Sequence, residues 1–314
     1  MELKKSDYES YDYREFWEDN KRVYEDASER LALEKFFKGV NQSGTIVDIG
    51  CGYGRLFNIY QGYDRIIMLD YSLNNLKNTK ETIKNFLKQN NNKIADVYFI
   101  AADAANLPIK NEAVDAAISV RLIHHLNNPG KFISETGRIL KNNGLFILEF
   151  ANKRNIKNIV KFIFGKLKES PFSSNPYRIG ETIHDNHPKV IVNYLKSNFF
   201  EVKKVLSVSN LRTGFLKRRL KIKNLLMLEN FTQICFSSLK LAPSIFVKSY
   251  AQKFNNKNKA GALSKPAGKF EDFLLCPKCR NMESGMGISG DSIICNFCGA
   301  EFKITDGIYD LRIL

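Results

Sequence analysis

Apolar residues fall in two periods along this chain, and their alternation predicts its elements. Short runs rich in β-branched residues stand at Thr45–Ile49, Arg65–Asp70, Val97–Ile100, Ala113–Val120 and Gly144–Phe150. Between them, apolar positions recur at helical spacing, as in Leu76, Ile83, Phe86 and Leu87, or in the segment ending Arg138-Ile139-Leu140. Runs apolar on both faces, regularly separated by helices, predict a parallel sheet covered on both sides. Asn142-Asn143-Gly144 supplies turn chemistry between the last helix and strand of this series.

Both flanks carry further elements. Residues 8–39 read as a helical region crowded with Tyr8, Tyr11, Tyr13, Phe16, Trp17 and Tyr24, with Leu31, Leu33, Phe36 and Phe37 as an apolar face and Gly39 as its stop. Residues 151–200 interrupt the strand–helix rhythm before a helix at 189–198. Strand Glu201–Ser207 follows, then a helical insertion at 211–242 and a last strand, Ser244–Tyr250. Residues 255–269 are polar, with Gly261, Pro266 and Gly268, and read as a linker.

The first strand ends in Asp48-Ile49-Gly50-Cys51-Gly52-Tyr53-Gly54-Arg55. Glycines at alternate positions let the backbone turn sharply and lie against a ligand, at the βα turn where open α/β sheets bind. A dinucleotide fingerprint would place its third glycine at position 55, which is Arg55. Asp70 ends the second strand about twenty residues on, where a carboxylate can accept from ribose hydroxyls; Ser72 and Asn74 beside it also read as helix caps. Asp103 and Ala104 precede a Leu107-Pro108 turn after the third strand, and Arg121-Leu122-Ile123-His124-His125-Leu126 follows the fourth.

These segments resemble the class I S-adenosylmethionine (SAM)-dependent methyltransferases, in the group that contains the quinone C-methyltransferases and wobble-uridine tRNA methyltransferases. The resemblance covers residues 20–254. It implies a Rossmann-like seven-stranded sheet with an antiparallel last strand, and SAM held by Asp48, Gly50, Cys51, Gly52, Gly54, Asp70, Tyr71, Asp103, Ala104 and Ser119. Asp103 would accept from the adenine amino group. Residues 1–40 would form a helical cap with Arg22 and Tyr24 as lid residues, and 151–200 a lid over the acceptor. His124 or His125 could serve as a base; packing is the competing role for each. His184 and His187 beside Asp185 invite a metal reading, which lacks a second ligand cluster.

Cys276-x-x-Cys279 and Cys295-x-x-Cys298 stand fifteen residues apart. Two such knuckles offer four thiolates for a tetrahedral, closed, structural Zn²⁺ in a module too small to own a core. Residues 270–314 therefore read as a zinc ribbon. Over 273–314 it resembles the small zinc activators of tRNA, rRNA and release-factor methyltransferases. Cys51 and Cys235 are left as packing thiols.

Composition narrows the partners. At 314 residues and 44% hydrophobic, the chain has material for one large and one small domain. Met1–Asn20 lacks a signal-peptide apolar core, and Leu225–Val247 is interrupted by Glu229 and Lys240, so a cytoplasmic protein is expected. Lys and Arg number 48 against 33 acids. The excess clusters at 153–168 and 203–223, beside apolar residues of 211–242 at helical spacing. Such a basic amphipathic segment can make peripheral contact with an anionic membrane, although an apolar face of this kind more often packs on the domain. Three functions follow: methyl transfer to a small-molecule or lipid/quinone-like acceptor, methyl transfer to tRNA or rRNA, or SAM binding without catalysis. Oligomeric state is not legible.

Overall fold

The computed structural model describes residues 12–17, 22–90, 95–253 and 268–313. A 3-10 turn at Tyr13–Phe16 precedes α1 (Val23–Phe37). The predicted aromatics Tyr8 and Tyr11 lie outside the described residues. Strands β1 (Thr45–Ile49) and β2 (Arg65–Asp70) are buried along their whole length. α2 (Leu73–Asn90), β3 (Asp96–Ala101), β4 (Val114–Ser119), α3 (Pro129–Ile139) and β5 (Leu140–Ala151) complete the alternating series. The strand–helix reading holds, with one correction: the expected helix after the glycine loop is a single 3-10 turn, Phe57–Ile59. The buried aromatics Phe57, Tyr60 and Tyr63 seat that short segment under the sheet.

β1 pairs in parallel with β2 and β4, β2 with β3, and β4 with β5. Successive strand residues point to opposite faces, so Ile46, Ile66 and Met68 pack towards α1 and α2, while Val47, Ile67 and Leu69 pack towards α3. Beyond β5 come α4 (Ile156–Ile163), the hairpin β6 (Tyr177–Ile179) and β7 (Ile183–Asp185), α5 (Pro188–Ser197) and β8 (Phe200–Val208). Ile191 and Leu195 of α5 are fully buried in the core, so the helix that closes the 151–200 segment packs as part of the domain. The insertion holds α6 (Gly214–Arg219) and α7 (Ile222–Cys235), and β9 (Ser244–Ala251) runs antiparallel between β5 and β8. The order β3-β2-β1-β4-β5-β9-β8 is the Rossmann-like methyltransferase sheet, with its direction of winding reversing between β1 and β4.

The C-terminal module does not stand apart. A 3-10 turn (Phe270–Phe273) leads to β10 (Met286–Ser289), β11 (Ser292–Cys295), β12 (Glu301–Thr305) and β13 (Ile308–Asp310). β13 pairs in parallel with β3, Ile308 opposite Phe99 and Tyr309 opposite Ile100, so seven strands become eleven in one sheet. Phe270 stacks on Tyr98 with ring centroids 3.7 Å apart, and the Leu275 amide donates to the Pro108 carbonyl at 3.1 Å. Most of the predicted linker, 254–267 and so all of 255–269 but Gly268 and Lys269, lies outside the described residues. Among the described residues, no helix is long and apolar enough to cross a membrane.

Candidate functional site

A cleft opens at the carboxyl ends of β1 and β4, the switch point where open α/β sheets bind ligands. Its floor is the glycine loop. Gly52 has φ +58°, and a Cβ there would meet the Tyr13 ring at 3.1 Å. Its amide donates to Asp70 Oδ2 at 2.9 Å. Asp70 Oδ1 accepts from the Ser72 amide (3.0 Å) and Asn75 Nδ2 (3.2 Å), while the Ser72 hydroxyl caps the Asn75 amide at 3.2 Å. One carboxylate thus ties the loop to the start of α2, and the expected capping role of Ser72 is present. Burial raises the Asp70 carboxyl above its ordinary value, with the backbone donors of Ser72 and Gly52 opposing the shift.

Asp48 lies deeper, accepting from Tyr60 Oη at 2.5 Å, and burial pushes its carboxyl up to about 7 against that bond. On the far side, Asp103 Oδ1 accepts from the Ala105 amide at 2.8 Å, which closes the turn after β3. Gly50, Cys51, Tyr71, Ala104 and His125 also border the cleft.

Four of the expected residues stand away from the cleft lining. Ser119 is fully buried and donates to the Ile49 carbonyl at 2.9 Å, joining β4 to β1 instead of lining the cleft. Gly54 is outside the cleft lining; a Cβ there would strike Thr79 of α2 at 2.8 Å, so it serves loop–helix packing. Tyr24 is buried and donates to Glu229 Oε2 at 2.7 Å, so it fastens α7 rather than covering a ligand. Arg22 lines a neighbouring cavity and not this cleft.

Sequence reading missed the wall between cleft and cavity. Arg121, directly after β4, adopts φ +62° and borders both spaces. Its guanidinium and that of Arg55 both donate to Glu29, whose side chain is wholly buried, with Arg121 Nε to Glu29 Oε1 at 2.8 Å. The Trp17 ring lies 4.1 Å from the Arg55 and 4.8 Å from the Arg121 guanidinium carbon. Burial pushes the Glu29 carboxyl up; the two guanidiniums overcome it and hold the group below its ordinary value. The Arg121 amide donates to Glu149 at 2.8 Å, and Glu149 also accepts from Ser244 Oγ at 2.6 Å. Two acids and two arginines scattered over residues 29–149 left no local motif to find.

The neighbouring cavity is larger and mostly apolar, bordered by Phe16, Ile156, Ile183, Leu211, Leu239 and Leu241. Arg22, Lys157, Lys161 and Arg212 add positive charge, and Asp185 carries the acid, pushed by burial to about 6 against Arg212. The two histidines divide between the spaces. His125 Nδ1 lies 3.0 Å from the Thr182 carbonyl, which fixes the proton on Nδ1. His124 borders the cavity, and its buried Nδ1 has no hydrogen-bond partner among the described residues. Burial drives the His124 imidazole well below its ordinary value, and His125 and Arg121 add to the shift. His184 and His187 do not join a metal-ligand cluster among the described residues; His187 caps α5, accepting from the Lys189 amide at 3.2 Å.

The four predicted cysteines do converge. Their sulfurs all lie within 4.8 Å of one another, with Cys276–Cys298 at 3.8 Å and Cys279–Cys295 at 3.7 Å. A tetrahedron with zinc–sulfur bonds of about 2.3 Å has edges of about 3.8 Å, so the set fits Zn²⁺ with every position taken. The knuckle also touches the Asp103 turn: Asn106 Nδ2 donates to the Pro277 carbonyl at 3.1 Å, and Arg280 Nη2 pairs with Glu135 at 3.0 Å.

Residues 47–148 match the family model of a methyltransferase domain. A curated protein of Methanocaldococcus jannaschii, described as uncharacterized, is 31% identical over 173 residues, 54% of this chain and 60% of that protein. An uncharacterized chloroplastic methyltransferase of Arabidopsis thaliana is 34% identical over 117 residues, 36% of this chain and 32% of its own. The ubiquinone/menaquinone biosynthesis C-methyltransferase UbiE of Campylobacter jejuni is 29% identical over 109 residues, 34% of this chain and 45% of its own. The chain thus spans between a third and three fifths of the length of these relatives. Among solved structures, a chain from the complex between the Haloferax volcanii Trm112 methyltransferase activator and a candidate methyltransferase superposes with a TM-score of 0.52 at 16% identity, over 77% of this chain and 99% of that one. A candidate SAM-dependent methyltransferase of Listeria monocytogenes gives 0.50 at 15%, over 73% and 98%. The fold is therefore that of the class I methyltransferases.

Proposed function

We propose that this chain is a SAM-dependent methyltransferase acting on a small-molecule or lipid-like acceptor with an apolar body and an anionic group. The observation that carries the proposal is the meeting of two spaces at Arg121: a glycine-floored cleft at the switch point and a large, apolar, cation-lined cavity.

Bound SAM supplies a methyl group on a sulfonium, already activated for displacement. Asp70 accepts from the ribose hydroxyls and keeps the Gly50–Gly52 backbone against the cofactor. Asp103 and the Ala104 backbone hold the adenine, and Tyr71 borders the same end. Asp48, its buried carboxyl held up to about 7, gives up its proton to become the counter-charge of a cationic ligand. Arg22, Arg212, Lys157 and Lys161 orient the anionic group of the acceptor. Catalysis then rests on alignment and exclusion of water. His124 presents a neutral imidazole to the cavity and is the candidate base for an acceptor proton; His125 positions the wall through Thr182. Cys276, Cys279, Cys295 and Cys298 would hold a structural Zn²⁺ that stiffens the ribbon and the Asp103 turn. Their reduced thiols fit a cytoplasmic setting.

The test offers SAM labelled in its methyl group, with the purified protein, to a lysate of the source organism. Label extracted into organic solvent is the expected result. Label in RNA that nuclease removes would replace the acceptor class with tRNA or rRNA, where the basic surface and ribbon would act. Absence of transfer with intact SAM binding would leave a non-catalytic SAM module.

A further inference from the structure

Helix α7 is inside out. Its inward face is Leu225, Glu229 and Gln233, which turn towards α1 and the end of β8. Glu229 accepts from Tyr24 Oη (2.7 Å), the Ser209 amide (2.7 Å) and the Asn210 amide (3.0 Å). Gln233 Nε2 donates to the Ser28 carbonyl at 2.8 Å, and Lys35 Nζ donates to Gln233 Oε1 at 2.9 Å. This polar anchorage forces the apolar side of the helix outward. Met227 and Phe231 are each 67% exposed, and Ile234 is 57% exposed. The predicted packing of this apolar stripe on the domain is thereby excluded.

A second helix does the same from another part of the chain. In α4 and the residue after it, Ile163 is 70% and Phe164 73% exposed, with Val160 and Ile156 also outward. The two faces belong to one region. Ile156 of α4 and Phe236 and Leu239 beyond α7 all border the large cavity, and the Ile156 amide donates to the Leu241 carbonyl at 3.0 Å. Monomeric proteins seldom expose so many large apolar side chains around one opening.

Charge selects the occupant. Residues 151–168 contain six Lys or Arg and no acid, and 211–242 contain seven and a single acid, the inward Glu229. Lys157, Lys161, Lys166, Lys168, Arg218, Arg219, Lys221 and Lys223 thus flank the apolar residues with little opposing charge. A second copy of the chain would bring like charge against like. RNA would meet the cations but has no use for Ile163, Met227 and Ile234. An anionic bilayer satisfies both features, with apolar side chains entering the acyl boundary and lysines meeting phosphate headgroups.

We infer that the α4 and α6–α7 face docks the protein on an anionic membrane surface, with the mouth of the large cavity turned to the lipid. Docking itself is independent of methyl transfer; only the delivery of a lipid-like acceptor from the bilayer rests on the proposed function.

The test is co-sedimentation of the full chain with vesicles of phosphatidylcholine alone and of phosphatidylcholine with phosphatidylglycerol in equal parts. SAM affinity is measured by calorimetry on the same protein. The expected result is strong partition onto the mixed vesicles only. Phe164→Ser combined with Phe231→Ser, both at exposed positions outside cavity and cleft, should reduce it on the order of a hundredfold while leaving SAM affinity unchanged. A Lys166→Glu/Lys168→Glu/Lys221→Glu variant should weaken it further at low salt. Partition that ignores the Phe164 and Phe231 substitutions would reveal plain electrostatic adsorption and overturn the inference. So would equal partition onto both vesicle types, no partition at all, or a vesicle-free dimer abolished by the same two substitutions. Failure of SAM binding with partition intact would instead strike the enzymatic reading.

Discussion

Replacing Glu29 by glutamine removes a wholly buried negative charge shared by two guanidiniums. Among the described residues, the glutamine keeps the shape but leaves Arg121 without a carboxylate at its guanidinium, while Arg55 retains Asp26, 2.6 Å from its Nη1. Breaking one partner out of a buried ion pair costs about 3–5 kcal/mol, because the remaining charge stays desolvated. The surviving Asp26 contact favours the lower end, about 3 kcal/mol, or ~5–10 °C in melting temperature for a chain of this size. Thermal denaturation of wild type, Glu29→Gln, Arg121→Met and the double variant measures it. The double variant should be less destabilised than the two singles summed, by about 1–3 kcal/mol, since Arg121→Met removes the charge that Glu29→Gln strands. The sign with pH is also fixed. Glu29 is held below its unfolded value, so its contribution is complete above about pH 4.3 and disappears only as pH falls through the lowered value. The gap between wild type and Glu29→Gln should therefore persist from pH 8 to about pH 5 and close in stronger acid. A Glu29→Gln variant within about 0.5 kcal/mol of wild type at neutral pH would refute this reading of the network.

The remaining predictions concern the cleft and the ribbon. Asp48, raised to about 7 by burial, favours folding below its unfolded value and loses that advantage as pH rises through about 7. Asp48→Asn should flatten the decline of apo-protein stability with pH across that window, read by melting temperature against pH. A cationic ligand should displace the proton of Asp48, so SAM titrations below pH 7 in buffers of different ionisation enthalpy should reveal proton release, absent in Asp48→Asn. His124→Ala should spare SAM affinity and lower turnover, whereas equal turnover would remove it from the reaction. Chelation of zinc, or Cys279→Ser, should loosen β13 from β3 and weaken SAM binding through the Asn106–Pro277 contact; protected β13 amides in hydrogen exchange after metal loss would refute that coupling.

Much of the cleft was legible because its chemistry is local. The glycine loop, Asp70 after a buried strand, and Asp103 before Leu107-Pro108 each carry their signal within a few residues. The cysteine knuckles were equally plain, and spacing alone implied the cluster that the fold assembles. What escaped depends on partners far away in the chain. Ser119 looked like a cleft residue at a strand end, yet its hydroxyl is consumed by Ile49 of the neighbouring strand. Helix α7 displays an apolar period, and periodicity cannot tell which face turns inward; Tyr24, Ser209 and Asn210 decide that by saturating Glu229. Likewise Ile308-Tyr309-Asp310 is too short to announce itself as a strand, and its pairing with β3 exists only once both edges are built.

The central claim is that the glycine-floored cleft binds SAM through Asp70. Calorimetric titration of SAM into the purified chain, in parallel with its Asp70→Ala variant, tests it most directly. The account predicts saturable one-site binding by the wild type and its loss or severe weakening in Asp70→Ala, with the variant still folded by circular dichroism. Unchanged affinity in a folded Asp70→Ala, or no binding by the wild type, would contradict it.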